Sequence, residues 1–304
     1  MVNADIERLI AIPQVVPTFH KRPYPAISPL RPELSQSGKT VLITGGAEGI
    51  GFSIARNFAR ASVSKIIILD VDEDALIAAT FELRDEIEDA SGVTIVDPRV
   101  CNVGHISESD TIWSSLSKEG ILVDVLVLNA VCYGPEEPLL DSGRDAIWSS
   151  FDVNVRASFV HTQHFYKQVG HVQQKFLVNV STNGIYLWDA EGVRPSYGLT
   201  KNSGTVLVQQ IAKDVKPEKL QVISFHPGEV LTESAKRHGY TKDTIEWYDE
   251  DLSGQFAVWT ATREAAFLHG RFVFAAWDVD DMISEEFQER LADPYYLKVG
   301  IKGL

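Results

Sequence analysis

The stretch TVLITGGAEGIG, residues 40–51, decides the fold. Thr40 to Thr44 form a short apolar, β-branched run suited to a buried strand. Glycines follow at the spacing Thr44-Gly45-x-x-x-Gly49-x-Gly51, and helical periodicity runs from about Ile50 to Ala61. Gly45 permits a tight turn, Gly49 a close backbone approach, and Gly51 close packing of helix on strand. A helix starting there aims free N–H groups and the positive end of its dipole at whatever lies over the loop. The expectation is a pyrophosphate cradle formed by Thr44, Gly45, Gly49, Ile50 and Gly51.

Outward from this loop the pattern alternates. KIIILD (65–70) reads as a second strand, followed by a charged helix from about Glu73 to Ala90. TIVDPRV (94–100) and VDVLVLNA (123–130) read as strands three and four, with a long helix from roughly Ala146 to Gly170 after them. KFLVNVS (175–181) is a fifth strand, Ser196 to Val215 a helix, and LQVISFHP (220–227) a sixth strand. Short apolar runs alternating with amphipathic helices predict βαβ units. The fold class is therefore α/β: a Rossmann-type, doubly wound parallel sheet in a three-layer α/β/α sandwich, as a single domain. Six of the 13 prolines fall in the first 37 residues, so 1–37 are expected to be an extended, non-helical N-terminal extension. Residues 38–304 are expected to form the Rossmann-type domain, catalytic if the residues below carry chemistry, with a lid and C-terminal segment over about 233–304.

At 304 residues and 44% apolar content the chain can bury a large core. A net charge of −14 argues against nucleic acid and against an anionic membrane surface as partners. Cys101 and Cys132 both end apolar runs and read as buried small hydrophobes, neither disulfide nor metal ligand. No signal peptide or membrane span is evident, so a cytoplasmic protein is expected. His161 and His164 lack a third ligand of matching context, so no metal is expected.

Asp70 ends the second strand 19 residues past Gly51. A carboxylate there accepts bonds from adenosine ribose hydroxyls and repels a 2′-phosphate; otherwise it only caps the next helix. Glu48 in the loop and Asp72 add to the repulsion, and no nearby basic residue is evident. NAD is the expected cofactor, with NADP as the alternative.

Tyr197 and Lys201, in SYGLTK (196–201), stand at i and i+4 and share a helix face. A nearby ammonium lowers a phenol's pKa toward a usable range, so the pair reads as a proton donor or acceptor. Just before it, Ser181 and Thr182 end strand five with two hydroxyls able to hold a carbonyl oxygen. Asn154 lies in the long helix, where an amide otherwise bonds backbone carbonyls.

This constellation resembles the short-chain dehydrogenase/reductase family, in its compact single-domain branch, over about residues 38–232. The resemblance implies an NAD(P)-dependent oxidoreductase acting on a carbonyl or secondary alcohol. It implies a tetrad of Asn154, a hydroxyl residue, Tyr197 and Lys201. Thr182 takes the hydroxyl role and Ser181 is the alternative. Lys201 would bond the nicotinamide ribose, and Asn154 would hold a proton-relaying water. It also implies cofactor contacts from Asn129 and Ala130, where the usual following glycine is Val131, and from Asn102-Val103 near the adenine. HPGEVLT (226–232) resembles the Pro-Gly…Thr segment after strand six, so Pro227, Gly228, Val230 and Thr232 would hold the carboxamide. Tyr133, Tyr186, Trp188, Trp247 and Tyr248 suggest a bulky apolar or aromatic substrate, unless they only pack a lid. Residues 267–282 resemble a fungal group of these reductases, many of which look like secondary-metabolite enzymes. A homodimer or homotetramer is expected by the same analogy. The rival readings are a non-redox enzyme on this fold (isomerase, dehydratase or cyclase) and a catalytically silent dinucleotide sensor.

Overall fold

The computed structural model describes residues 12–90, 92–170, 174–187 and 194–301. Seven strands form one parallel sheet: β1 (Thr40–Thr44), β2 (Lys65–Asp70), β3 (Ile95–Val100), β4 (Val125–Leu128), β5 (Lys175–Val180), β6 (Leu220–His226) and β7 (Phe272–Phe274). Their order is β3-β2-β1-β4-β5-β6-β7. The winding reverses between β1 and β4, which opens a crevice beyond the carboxyl ends of those strands.

The sheet is covered on both faces because its strands carry apolar residues at consecutive positions. Val41 and Ile43 of β1 face α1 (Gly49–Arg60) and α2 (Glu73–Asp89), packing with Ile54, Phe58 and Leu83. Leu42 points the other way, into a core with Trp113 and Leu116 of α3 (Ile106–Lys118). The sequence reading had not marked α3 or β7. The buried face of α3 is only Ser109, Ile112, Trp113 and Leu116, set among serines and acids, and β7 spans three residues.

The long helix expected over 146–170 is divided. α4 (Arg144–Phe151) and α5 (Ala157–Lys167) are joined by a π-helical turn, Asp152–Arg156, and Asn154 sits in that turn. α6 (Pro195–Asp214) begins with proline at its first position and carries Tyr197 and Lys201. After β6 come α7 (Glu233–Arg237), α8 (Glu250–Thr260), α9 (Val279–Ile283) and α10 (Glu285–Leu291). α8 packs on α1, where Asp251 receives Asn57 Nδ2 at 2.8 Å and Arg60 at 2.7 Å.

The proline-rich segment departs from the extended reading. It contains 3₁₀ turns at Pro25–Ile27 and Pro32–Leu34, each opened by a proline whose fixed φ suits a first helical position. Residues 12–37 form a strap whose Val16, Tyr24, Ile27 and Leu34 are buried in the α1 side of the core. The Tyr24 hydroxyl donates to Trp277 O and accepts from Val279 N. The Lys21 carbonyl accepts from Asp249 N at 2.9 Å, and Lys21 Nζ pairs with Glu246 at 2.6 Å. The strap thus ties both the segment before α8 and the C-terminal segment. Among the described residues no helix is long and apolar enough to cross a membrane.

Candidate active site

The site begins where β1 ends. Gly45 has a φ of +62°, a left-handed turn that brings the Gly45 and Gly46 amides onto Leu69 O. A side chain at Gly51 would collide with the Gly45 carbonyl oxygen and come within 2.6 Å of Asn129 Nδ2. Asn129 Nδ2 locks the turn by donating to Gly45 O at 2.6 Å. Thr44 is a brace rather than the lining residue expected: it is buried, donates to Val127 O, and accepts from Asn129 N and Ala130 N. Glu48 precedes α1 yet does not cap it with its side chain. Its carboxylate instead meets Arg237 of α7 at 3.0 Å, leaving the opening amides of α1 uncapped beside the crevice.

A cavity of about 450 Å³ runs over this loop. Gly45, Gly49, Ile50, Gly51, Asp70, Asn102, Val103, Asn129, Ala130 and Val131 line it. Asp70 Oδ2 accepts from Ala47 N at 3.2 Å, while the neighbouring Asp72 caps α2 through Ala75 N. The Asn102 amide oxygen accepts from Gly104 N at 3.0 Å. One expectation is corrected: a basic residue does reach this end, because α7 carries Arg237 into the cavity wall beside Glu48. It comes from 189 positions away in the chain, so no local reading of the loop could find it.

A second cavity of about 270 Å³ adjoins the first, and Tyr197 borders both. Lys201 opens only on the larger cavity and Thr182 only on the smaller. Thr182 Oγ1 accepts from Gly184 N at 3.2 Å and donates to Asn183 Oδ1 at 3.3 Å, whereas Ser181 Oγ is engaged 2.6 Å from Thr205 Oγ1. Pro227 and Thr232 border both cavities, Gly228 and Val230 the smaller one, and Thr232 Oγ1 caps α7.

The electrostatics depart from the expectation. Burial holds the Tyr197 phenol well above its ordinary range, and Tyr133 and Glu229 push the same way against the Thr182 hydroxyl and Arg194. Lys201 does not offset this, because its Nζ donates to Val180 O at 2.8 Å and burial pushes its pKa down to about 8. Asn154 lines neither cavity: it donates to Cys132 O and Thr200 Oγ1 and accepts from Cys132 N, clamping the chain after β4 onto α6.

Tyr133, Tyr240 and Trp247 line the smaller cavity; Tyr186 does not, and Trp188 lies outside the described residues. Tyr248 is buried instead. Sequence reasoning missed Glu229 and Arg194, which also line it; Arg194 pairs with Glu136 at the rim. His161 accepts from Trp113 Nε1 and lies 3.1 Å from Ser109 Oγ; among the described residues no cluster could hold a metal. Cys132 is only half-buried, unlike Cys101.

The profile of the short chain dehydrogenase family matches residues 39–243. The chain belongs to the short-chain dehydrogenase family. It is 32% identical over 285 residues to the short chain dehydrogenase/reductase AacuD of Aspergillus aculeatus, covering 93% of this chain and 95% of that one. It is 34% identical over 295 residues to a short chain dehydrogenase/reductase of Claviceps purpurea, covering 96% and 95%. Both relatives are fungal, as the resemblance of residues 267–282 implies. Among solved structures, L-sorbose reductase from Gluconobacter frateurii, complexed with NADPH and L-sorbose, superposes with a TM-score of 0.70 at 19% identity, over 80% of this chain and 96% of that one. An actinorhodin polyketide ketoreductase variant with NADPH gives 0.68 at 18% identity, over 80% and 97%. Those two likenesses concern the fold. As a family member the chain is an NAD(P)-dependent oxidoreductase, and the cavity residues fit that cofactor. The uncapped amides of α1 suit a diphosphate, Asp70 a ribose, and the cavity leads to Tyr197.

Proposed function

We propose that this short-chain dehydrogenase interconverts a ketone and a secondary alcohol on a bulky, largely aromatic small molecule. The observation that carries this is the placement of Tyr197. It stands between a cavity that opens on Lys201 and one that opens on Thr182, and borders both. A bound nicotinamide dinucleotide supplies or accepts hydride. The α1 amides, with Gly45, Gly49, Ile50 and Gly51, hold the diphosphate; Asp70 holds the adenosine ribose, and Asn102, Val103, Asn129 and Ala130 line that path. Pro227, Gly228, Val230 and Thr232 bound the nicotinamide end. Tyr197 gives a proton to the substrate oxygen in reduction and takes it back in oxidation. Thr182 orients that oxygen, with Ser181 bracing α6 through Thr205. Lys201 reaches for the nicotinamide ribose and, freed from Val180 O, stabilises tyrosinate. Asn154 fixes the helix that carries them, as a member of the tetrad.

Asp70 and Glu48 favour NAD, and Arg237 pulls the opposite way by neutralising Glu48. We further take residues 38–304 as the catalytic domain, with 233–304 supplying the lid. We take the enzyme to be cytoplasmic and a homodimer or homotetramer assembled through α4, α5 and α6, which leave Trp148, Phe159 and Leu199 exposed. Titration with NADH and with NADPH, followed by nicotinamide fluorescence, tests the reading. Tighter NADH binding supports Asp70 and Glu48 as selectors; tighter NADPH binding assigns selection to Arg237; binding of neither refutes the oxidoreductase mechanism. Tyr197→Phe must then keep cofactor binding and lose turnover by about 100-fold or more.

A further inference from the structure

The smaller cavity holds a carboxyl group that the chemistry above does not use. Glu229 follows Gly228 just past β6 and lines the same cavity as Thr182 and Tyr197. Its backbone is pinned, since Glu229 O accepts from Tyr248 N at 2.8 Å and Val230 bridges to Tyr248. Among the described residues its one neighbour within ion-pair range is His226, whose Nε2 lies 3.5 Å from Glu229 Oε1. That ring is no cation. His226 Nδ1 accepts from Asn183 N at 3.3 Å, which places the ring proton on Nε2, and burial pushes its pKa down to about 3. Arg194 cannot serve, because Glu136 already takes it at the rim. The carboxyl is therefore a hydrogen-bond acceptor in a catalytic cavity, steadied on one side and lacking a counter-charge. Such a group is costly unless a ligand completes it. Tyr133, Tyr240 and Trp247 supply flat apolar walls around it.

We propose that Glu229 is a substrate-recognition residue: it accepts a hydrogen bond from a hydroxyl group on a neutral aromatic ketone, or on the corresponding alcohol, and it turns away substrates that carry a carboxylate. A donor hydroxyl completes the acceptor, whereas a carboxylate meets a like charge with no free cation to receive it. The proposal rests on the smaller cavity being the substrate site.

The probes are 2-tetralone and its 6-hydroxy and 6-carboxy derivatives. At about pH 8.5, where Glu229 is ionised, their binding to the cofactor-saturated enzyme is measured by calorimetry, and their reduction by cofactor oxidation, for wild type, Glu229→Gln and Glu229→Leu. Wild type is expected to bind the hydroxy probe about 10-fold more tightly than 2-tetralone, as one hydrogen bond to a charged acceptor gives, and the carboxy probe least tightly. Glu229→Leu should erase the hydroxyl advantage. Glu229→Gln, which keeps an acceptor oxygen, should retain part of it and admit the carboxy probe. A hydroxyl advantage that survives Glu229→Leu overturns the proposal, as do equal binding of hydroxy and plain probes by wild type and binding of none of the three. The two readings separate cleanly. A Glu229-dependent preference without any cofactor oxidation would refute hydride transfer and leave this proposal standing. Reduction of all probes alike would do the reverse.

Discussion

Thr182 and Ser181 are adjacent hydroxyls with different partners, and that difference is measurable. Thr182 lines the cavity that Tyr197 borders, while Ser181 is spent on Thr205. Thr182→Ala is expected to lower kcat by about 100- to 1000-fold, the scale of losing one positioned donor. Ser181→Ala should cost far less turnover and show instead as a lower melting temperature. Glu229 offers a test through pH. Burial pushes its pKa up to about 7 from an ordinary 4.5, so the ionised form is disfavoured in the folded state. The penalty is complete above pH 7. It fades as pH falls towards 4.5, because the folded protein takes up the proton first. Glu229→Gln should therefore be more stable than wild type above pH 7, with the difference vanishing near pH 4.5. Its size is on the order of 1–3 kcal/mol, damped because the side chain keeps 30% of its exposure through the cavity. Thermal melts across that range would read it as a few degrees, and a gap that widened on acidification would contradict the assignment. The residues that carry local chemistry were legible: the glycine spacing and the i,i+4 Tyr–Lys pair each declare a geometry within a few positions. Lys201's effect on Tyr197 was not, since it depends on which backbone carbonyl the ammonium finds.

At the scale of elements, the strand–helix alternation marked six of the seven strands, because the central ones are buried on both faces and carry mostly apolar residues. The edge strand β3 still shows β-branched residues between turn signals. What escaped were elements whose signal is non-local. α3 hides its face among polar residues, and the π-helical turn at Asn154 is set by the clamp to Cys132 and Thr200 rather than by its own residues. The α1–α8 contact is also non-local and unusually close. A Cβ at Gly254 would collide with the Asn57 amide and stand 2.7 Å from the Ser53 carbonyl oxygen. Gly254→Ala should force the helices apart and cost about 1–3 kcal/mol, read as a shifted urea midpoint. The Asp251 pairing with Arg60 and Asn57 should suffer with it.

For the whole molecule, the strap changes what counts as the domain. Ile27 and Leu34 are fully buried, and each large apolar side chain so placed contributes roughly 1.5–3 kcal/mol. Tyr24 and Val16 add to that, so the strap's share rivals the net stability of an ordinary domain. Removing residues 12–37 should give insoluble protein, and Ile27→Ala should lower the melting temperature while leaving cofactor affinity in place. A soluble, active truncation would show that the strap is dispensable. The family match begins at Lys39, just past the strap.

The Glu48–Arg237 pair joins the glycine loop to α7 at the wall of the larger cavity. It is exposed, so it is weak and screened by salt. A pair placed at the wall of the cavity is expected to slow departure of the spent dinucleotide at low salt. If product release limits the steady state, turnover should climb with ionic strength in the wild type and be flat in Arg237→Ala, which would release its dinucleotide fastest at every salt concentration.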